Sequence, residues 1–235
     1  MIKTPRDFTF KKLEDDLHYL LASDYTFLRC VDYLDVDQFG TDKKIIVRFD
    51  VDEEPKNLIK IIEICKRVNI KASFFFRIHS PTYNIFESHY YLIIKSLITD
   101  GHEVGLHSEI LDFCHVTGES PSEAMKRDLL IFRQIFGLDA VGISSHGGGT
   151  PGINNLDFWQ HHTATEFQAL YEAYDKCCLD LFRNSLYVSD SEWIHWKTYS
   201  NGILSAKRFP RLREVFLNSP KLVYLLLHPE TFYEV

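Results

Sequence analysis

Residues 44–55 read KIIVRFDVDEEP, an apolar run from Lys44 to Phe49 that meets two alternate aspartates, Asp50 and Asp52, and closes at Pro55. The next stretch, Asn57 to Val68, places Leu58, Ile61, Ile62, Cys65 and Val68 at helical spacing. A second short apolar run, ASFFF at residues 72–76, follows. Strand, helix, strand in this order predicts a parallel sheet with helices outside it. If the strand persists through Asp52, both carboxylates point to one face. Two carboxylates held together repel unless a cation or a shared proton relieves them. The alternative is a plain structural role, since Asp is favoured in turns and at helix starts.

The pattern continues outward from this segment. A helix is expected from about Glu87 to Asp100, ended by Gly101, and a strand over Glu103 to Leu106. Ser120-Pro121-Ser122-Glu123 predicts an N-cap serine, a first-turn proline and a capping-box glutamate, with Gly137 closing that helix. Val141 to Ser145 and Leu222 to Leu227 read as strands, and Trp159 to Arg183 as a further helix. Residues 1–40, with Phe8, Leu13, Leu17, Leu20 and Leu21 near helical spacing, read as a helical extension packed on the rest. No repeat or Pro/Gly/Ser linker interrupts the chain, so one domain over residues 1–235 is expected.

Composition narrows the class. A formal charge of -7 over 235 residues argues against a nucleic-acid partner, whose footprint would be basic. The five cysteines (Cys30, Cys65, Cys114, Cys177 and Cys178) show no CxxC spacing and read as reduced, buried thiols. The N-terminal stretch has no apolar signal region, and Leu222 to Leu227 is too short to span a bilayer, so a cytoplasmic chain without membrane insertion is expected. Oligomeric state is not legible.

Polar chemistry gathers where the apolar runs stop. KIIVRF ends at Asp50 and Asp52, ASFFF near Arg77 and His79, EVGL at His107 and Glu109, VGISS at His146, LYVS at Asp190, and LVYLLL at His228. In α/β barrels the loops after parallel strands converge on one face and carry the catalytic groups. Each histidine alone would more often be an ordinary core or surface residue; their recurrence at strand ends shifts the weight. His18, His89, His161 and His162 sit in helical or polar settings and read as ordinary. Gly147-Gly148-Gly149 fits neither phosphate-loop pattern, and Ser144-Ser145-His146 is no nucleophile elbow.

In order, VRFDVDEEP, IKASFFFRI, DGHEVGLHSE, SSHGG and YLLLHPE resemble the polysaccharide deacetylase group (carbohydrate esterase family four, the NodB-homology fold) from about Ile45 to Pro229. The match is nearer to a branch with an Arg-His-Asp-Val-Asp string, here Arg48-Phe49-Asp50-Val51-Asp52. The resemblance implies a distorted (β/α) barrel of about seven parallel strands and a divalent metal, with zinc the first expectation. By position it implies Asp50 as general base, Asp52 and His107 as metal ligands and His228 as general acid. Arg48, Glu109 and Asp190 are the expected substrate contacts.

One departure stands out. The family's second histidine should fall four residues after His107, where this chain has Leu111. His146, Glu109, His115 and Asp190 are the candidates for the missing ligand, and His146 is favoured because its glycine-rich loop lets the backbone come close. The implied activity is N-deacetylation of an amino-sugar carbohydrate or sugar intermediate in surface-polysaccharide metabolism. Two rivals stay open: hydrolysis of another amide or O-acetyl ester, and a silent carbohydrate-binding or scaffold barrel, which Leu111 keeps alive. Phe75, Tyr83, Trp193, Trp196 and Tyr199 are candidates for stacking on sugar rings or for the core.

Overall fold

The computed structural model describes residues 7–35, 42–175 and 179–235. Along the chain come α1 (Phe10–Ala22), β1 (Tyr25–Leu28), α2 (Cys30–Tyr33), β2 (Lys43–Val51), α3 (Leu58–Val68) and β3 (Ser73–Phe76). Next are α4 (Ser88–Thr99), β4 (Glu103–Ser108), α5 (Ile110–Thr117), α6 (Pro121–Phe136) and β5 (Ile143–Ser145). The chain ends with α7 (Leu181–Asn184), β6 (Leu186–Ser189), β7 (Trp196–Ser200), β8 (Ile203–Phe209), α8 (Leu212–Val215) and β9 (Leu222–Leu227). The class is mixed α/β with a mostly parallel sheet, as the strand–helix alternation requires.

The chain divides into two compact units. The first gathers the described residues of Met1–Asp50, Pro55–Ser73 and Leu181–Val235. Its strands run in the order β8-β7-β6-β9-β2, with β1 also on β2. Pairs β1–β2, β2–β9 and β6–β9 are parallel, and β6–β7 and β7–β8 antiparallel. Ile45 to Val51 and Val223 to Leu227 are buried without alternation, the mark of strands covered on both faces. Helix α3 turns Leu58, Ile61, Ile64, Cys65 and Val68 inward, and α1 turns Phe10, Leu13, Leu17 and Leu20.

The second unit comprises Val51–Glu54 and Phe74–Asp180. Within it β4 lies between β3 and β5, and β4 and β5 are parallel in the register His107↔Ser144. Phe74, Phe75 and Phe76 are all buried, as are Leu129, Phe132 and Phe136 of α6.

Several expectations are corrected. Residues 159–183 form no long helix among the described residues: two 3₁₀ turns, Asn155–Gln160 and Ala164–Phe167, precede the short α7, and Gln168 with φ 56° ends the second. The reason is legible afterwards, since Thr163 and Glu166 make a capping box that starts a new turn there. The capping box expected at Ser120 does not form: Ser120 makes no side-chain cap bond, and Glu123 pairs with Lys126 at 2.8 Å instead. Of the helical extension expected over residues 1–40, residues 1–6 and 36–40 lie outside the described residues, and the described part carries β1 as well as α1 and α2. Cys30, Cys65 and Cys114 are buried, Cys65 and Cys114 as free thiols, while Cys177 and Cys178 lie outside the described residues.

Candidate active site

In the second unit, the register of β4 on β5 delivers His107 and His146 at adjacent strand ends. The His107 ring is 2 % exposed. Its Nδ1 stands 2.8 Å from the carbonyl oxygen of Ser144, so it donates there and leaves the Nε2 lone pair for another partner. That Nε2 is 3.0 Å from Asp52 Oδ1. His146 begins the loop after β5, its ring edge-on to His107 with centroids 5.2 Å apart and its Nε2 3.8 Å from Asp52 Oδ2. One donor atom from each of Asp52, His107 and His146 falls within 4.8 Å of the others.

This donor set fits a divalent cation. One carboxylate and two imidazoles suit zinc, and three protein ligands leave positions open. Burial, helped by neighbouring His107, pushes the His146 pKa down, so its imidazole is neutral at neutral pH, the form that ligates. Its Nδ1 is buried with no hydrogen-bond partner. Leu111 lies half-buried on α5 with its N–H donated to Asn155 Oδ1 at 2.8 Å, and His115 is exposed on the same helix.

The backbone around Asp52 is held from two sides. Arg77 donates through Nη1 to the Asp52 carbonyl at 2.9 Å and through Nε to Glu109 Oε2 at 2.7 Å. Tyr83 donates to the Val51 carbonyl at 2.7 Å and accepts the Arg77 N–H at 2.8 Å. Burial drives the Tyr83 phenol well above its usual range, so it stays a donor. Glu109 Oε1 is buried with no hydrogen-bond partner. Sequence reasoning missed the roles of Arg77 and Tyr83. Arg77 at a strand end was the available signal.

In the first unit Phe49 pairs with Leu227, which puts Asp50, still within β2, next to the register position where β9 ends and His228 follows. Arg48 grips Asp50 with two bonds, Nε to Oδ1 at 2.8 Å and Nη2 to Oδ2 at 2.5 Å, and gives a third to Tyr224 Oη at 2.9 Å. Arg48 is 0 % and Asp50 2 % exposed, and a buried ion pair survives only when it is hydrogen-bonded this fully. Asp190, also 0 % exposed, accepts the His228 N–H at 2.9 Å and faces His228 Nδ1 at 2.6 Å. Arg48 and Asp190, expected as substrate contacts, are thus buried partners of Asp50 and His228.

Two solved structures similar to the chain are deacetylases. One is the Streptococcus pyogenes deacetylase PplD in complex with acetate, 14 % identical over 68 % of this chain and 69 % of that one, with a TM-score of 0.48. The other is the chitin deacetylase from the fungal pathogen Colletotrichum lindemuthianum, 20 % identical over 43 % of this chain, with a TM-score of 0.35. The match spans 44 % of the fungal chain, under half its length. No family model matches the sequence, and no curated protein matches it.

The candidate stacking aromatics divide by burial. Phe75, Tyr83 and Trp196 are core residues, whereas Trp193 is 59 % exposed and Tyr199 half-buried. Among the described residues no helix is long and apolar enough to cross a membrane.

Proposed function

We propose that this chain is a metal-dependent hydrolase that removes the N-acetyl group from an amino-sugar-containing carbohydrate. The observation that carries the reading is the convergence of Asp52, His107 and His146, with His107 already fixed in the ligating tautomer by Ser144. The ordered motifs of the polysaccharide deacetylase group support the substrate class.

When held by these three residues, a divalent ion such as Zn²⁺ supplies Lewis acidity, polarising the acetyl carbonyl and acidifying water. In this reading Asp50 takes the proton of the attacking water. The fork of Arg48 fixes the direction of the two Asp50 oxygens. His228 protonates the departing amine, a poor leaving group otherwise. With Nδ1 engaged by Asp190, its Nε2 is the nitrogen that presents the proton. Arg48 and Asp190 then act as positioning residues, and Glu109, with one oxygen uncommitted, is the group left to meet a substrate donor.

The test is metal content of protein purified without chelator, followed by a panel of N-acetyl sugars, nucleotide- and lipid-linked sugar intermediates, O-acetyl esters and cyclic amides. About one metal per chain with acetate release from N-acetyl substrates is the expected result. No metal even after zinc is added back sinks the mechanism; release only from esters or cyclic amides moves the assignment to those bonds.

A further inference from the structure

Leu111 removes the ligand that a helix would have supplied, and His146 comes instead from a loop containing three consecutive glycines. Such a loop loses much chain entropy on ordering and needs an anchor. The anchor begins one residue after Leu111. Asp112, in the first turn of α5, accepts the Thr150 N–H on Oδ1 at 2.8 Å and the Gly149 N–H on Oδ2 at 2.8 Å. Asn155, 1 % exposed, donates to Asp112 Oδ2 at 2.8 Å and to the His146 carbonyl at 3.2 Å. Its Oδ1 accepts the N–H groups of Leu111 at 2.8 Å and Asp112 at 3.1 Å. The His146 N–H is itself donated to the Ser108 carbonyl at 2.8 Å. His146 is therefore gripped at both backbone groups, and the loop beyond it is tied to α5 by bonds to a carboxylate, about twice as strong as neutral ones.

We infer that Asp112 and Asn155 are positioning residues for the third metal ligand, a clamp that replaces a helix-borne histidine by fastening the His146 loop to the same helix. The inference rests on the metal-dependent reading above. Although burial raises it, the Asp112 pKa ends below its usual value because Gly149, Thr150 and Asn155 donate to the charged form.

Zinc affinity, read by competition with a chromophoric chelator on the full chain, tests this without an activity assay. Asp112→Asn puts a donor where an acceptor is needed, and Asn155→Ala removes the link to His146. Each should weaken zinc binding about 10- to 100-fold, the usual cost of losing an outer-shell partner. In a His146→Ala background Asp112→Asn should cause no further loss, an outcome that a general structural role would not give. In the unsubstituted, metal-free protein the Gly149 and Thr150 amides should be protected from hydrogen exchange, a readout that needs no variant to fold. Wild-type affinity in folded Asp112→Asn, equal losses in both backgrounds, or free-loop exchange at Gly149 and Thr150 would each overturn the clamp while leaving the metal reading standing. A wild-type chain that binds no zinc would overturn both.

Discussion

His107 spends one ring nitrogen on the carbonyl of Ser144, the residue directly opposite it in the β4–β5 register. The bond ties the tautomer of a proposed ligand to the pairing of two parallel strands, so under the proposed function one side chain would couple metal binding to strand register. His107→Ala is expected to abolish metal binding and also to cost about 0.5–1.5 kcal/mol of metal-free stability, the worth of one buried hydrogen bond, in addition to lost packing. Asp52→Asn should lose the metal with little change in metal-free stability, because its side chain is 23 % exposed. Elemental analysis and urea unfolding in chelator check the pair. Retention of metal by either variant removes that residue from the ligand set.

Asp190 meets His228 through both a backbone and a ring bond. Asp190→Asn is expected to leave zinc affinity unchanged while lowering kcat about 10²- to 10⁴-fold, the range of general acid catalysis. Parallel zinc titration and acetate release decide it. A variant with full kcat would mean that His228 needs no orientation from Asp190.

Gly148 holds φ at +85°, and a Cβ there would stand 2.4 Å from the Ile153 carbonyl oxygen. Gly148→Ala is therefore expected to cost about 1–3 kcal/mol in thermal or urea unfolding and to disturb the adjacent His146. Gly147, where an added Cβ meets nothing within 4 Å, is the control and should accept alanine with far less loss.

Burial pushes the Cys65 thiol from 9.0 up to about 12. An acid whose pKa rises on folding contributes stability in full below its unfolded pKa and loses it as pH climbs towards the folded one. Stability should thus fall between pH 9 and pH 12, with Cys65 contributing up to about 1.4 kcal/mol per pH unit. Urea unfolding across that window should show a shallower decline in Cys65→Ala. Equal slopes would mean that the thiol ionises as readily folded as unfolded.

The sequence shows a site best where chemistry sits in short order along one strand. Asp50 and Asp52 could be read from the apolar run that ends on them, and His107, His146 and His228 from the same logic at later strands. Partners fixed only by pairing could not. Asp190 reaches His228 because Ser189 pairs with Leu226, a contact across many residues that no local pattern encodes. Asp112 meets Gly149, Thr150 and Asn155, partners 37 to 43 residues away that no local pattern signals. The β7–β8 hairpin is different, for its signal was present: Asn201-Gly202, with φ 52° and 73°, is a strong two-residue turn between paired Ser200 and Ile203. Its second strand, β8, is largely exposed and lacks clear alternation, so the residues after the turn do not read as a strand.

A zinc ion held by residues 52, 107 and 146, as proposed, would have a thermodynamic result of its own. Two histidines one helical turn apart would form a chelate that even a partly unfolded chain can offer. Three donors on three separate segments give the denatured chain no such local chelate. Zinc should therefore favour the native state almost undiluted, by about 2.7 kcal/mol at a hundredfold excess over its dissociation constant. The ion would then register whether distant segments have found one another, and its loss would be an early sign that they have come apart.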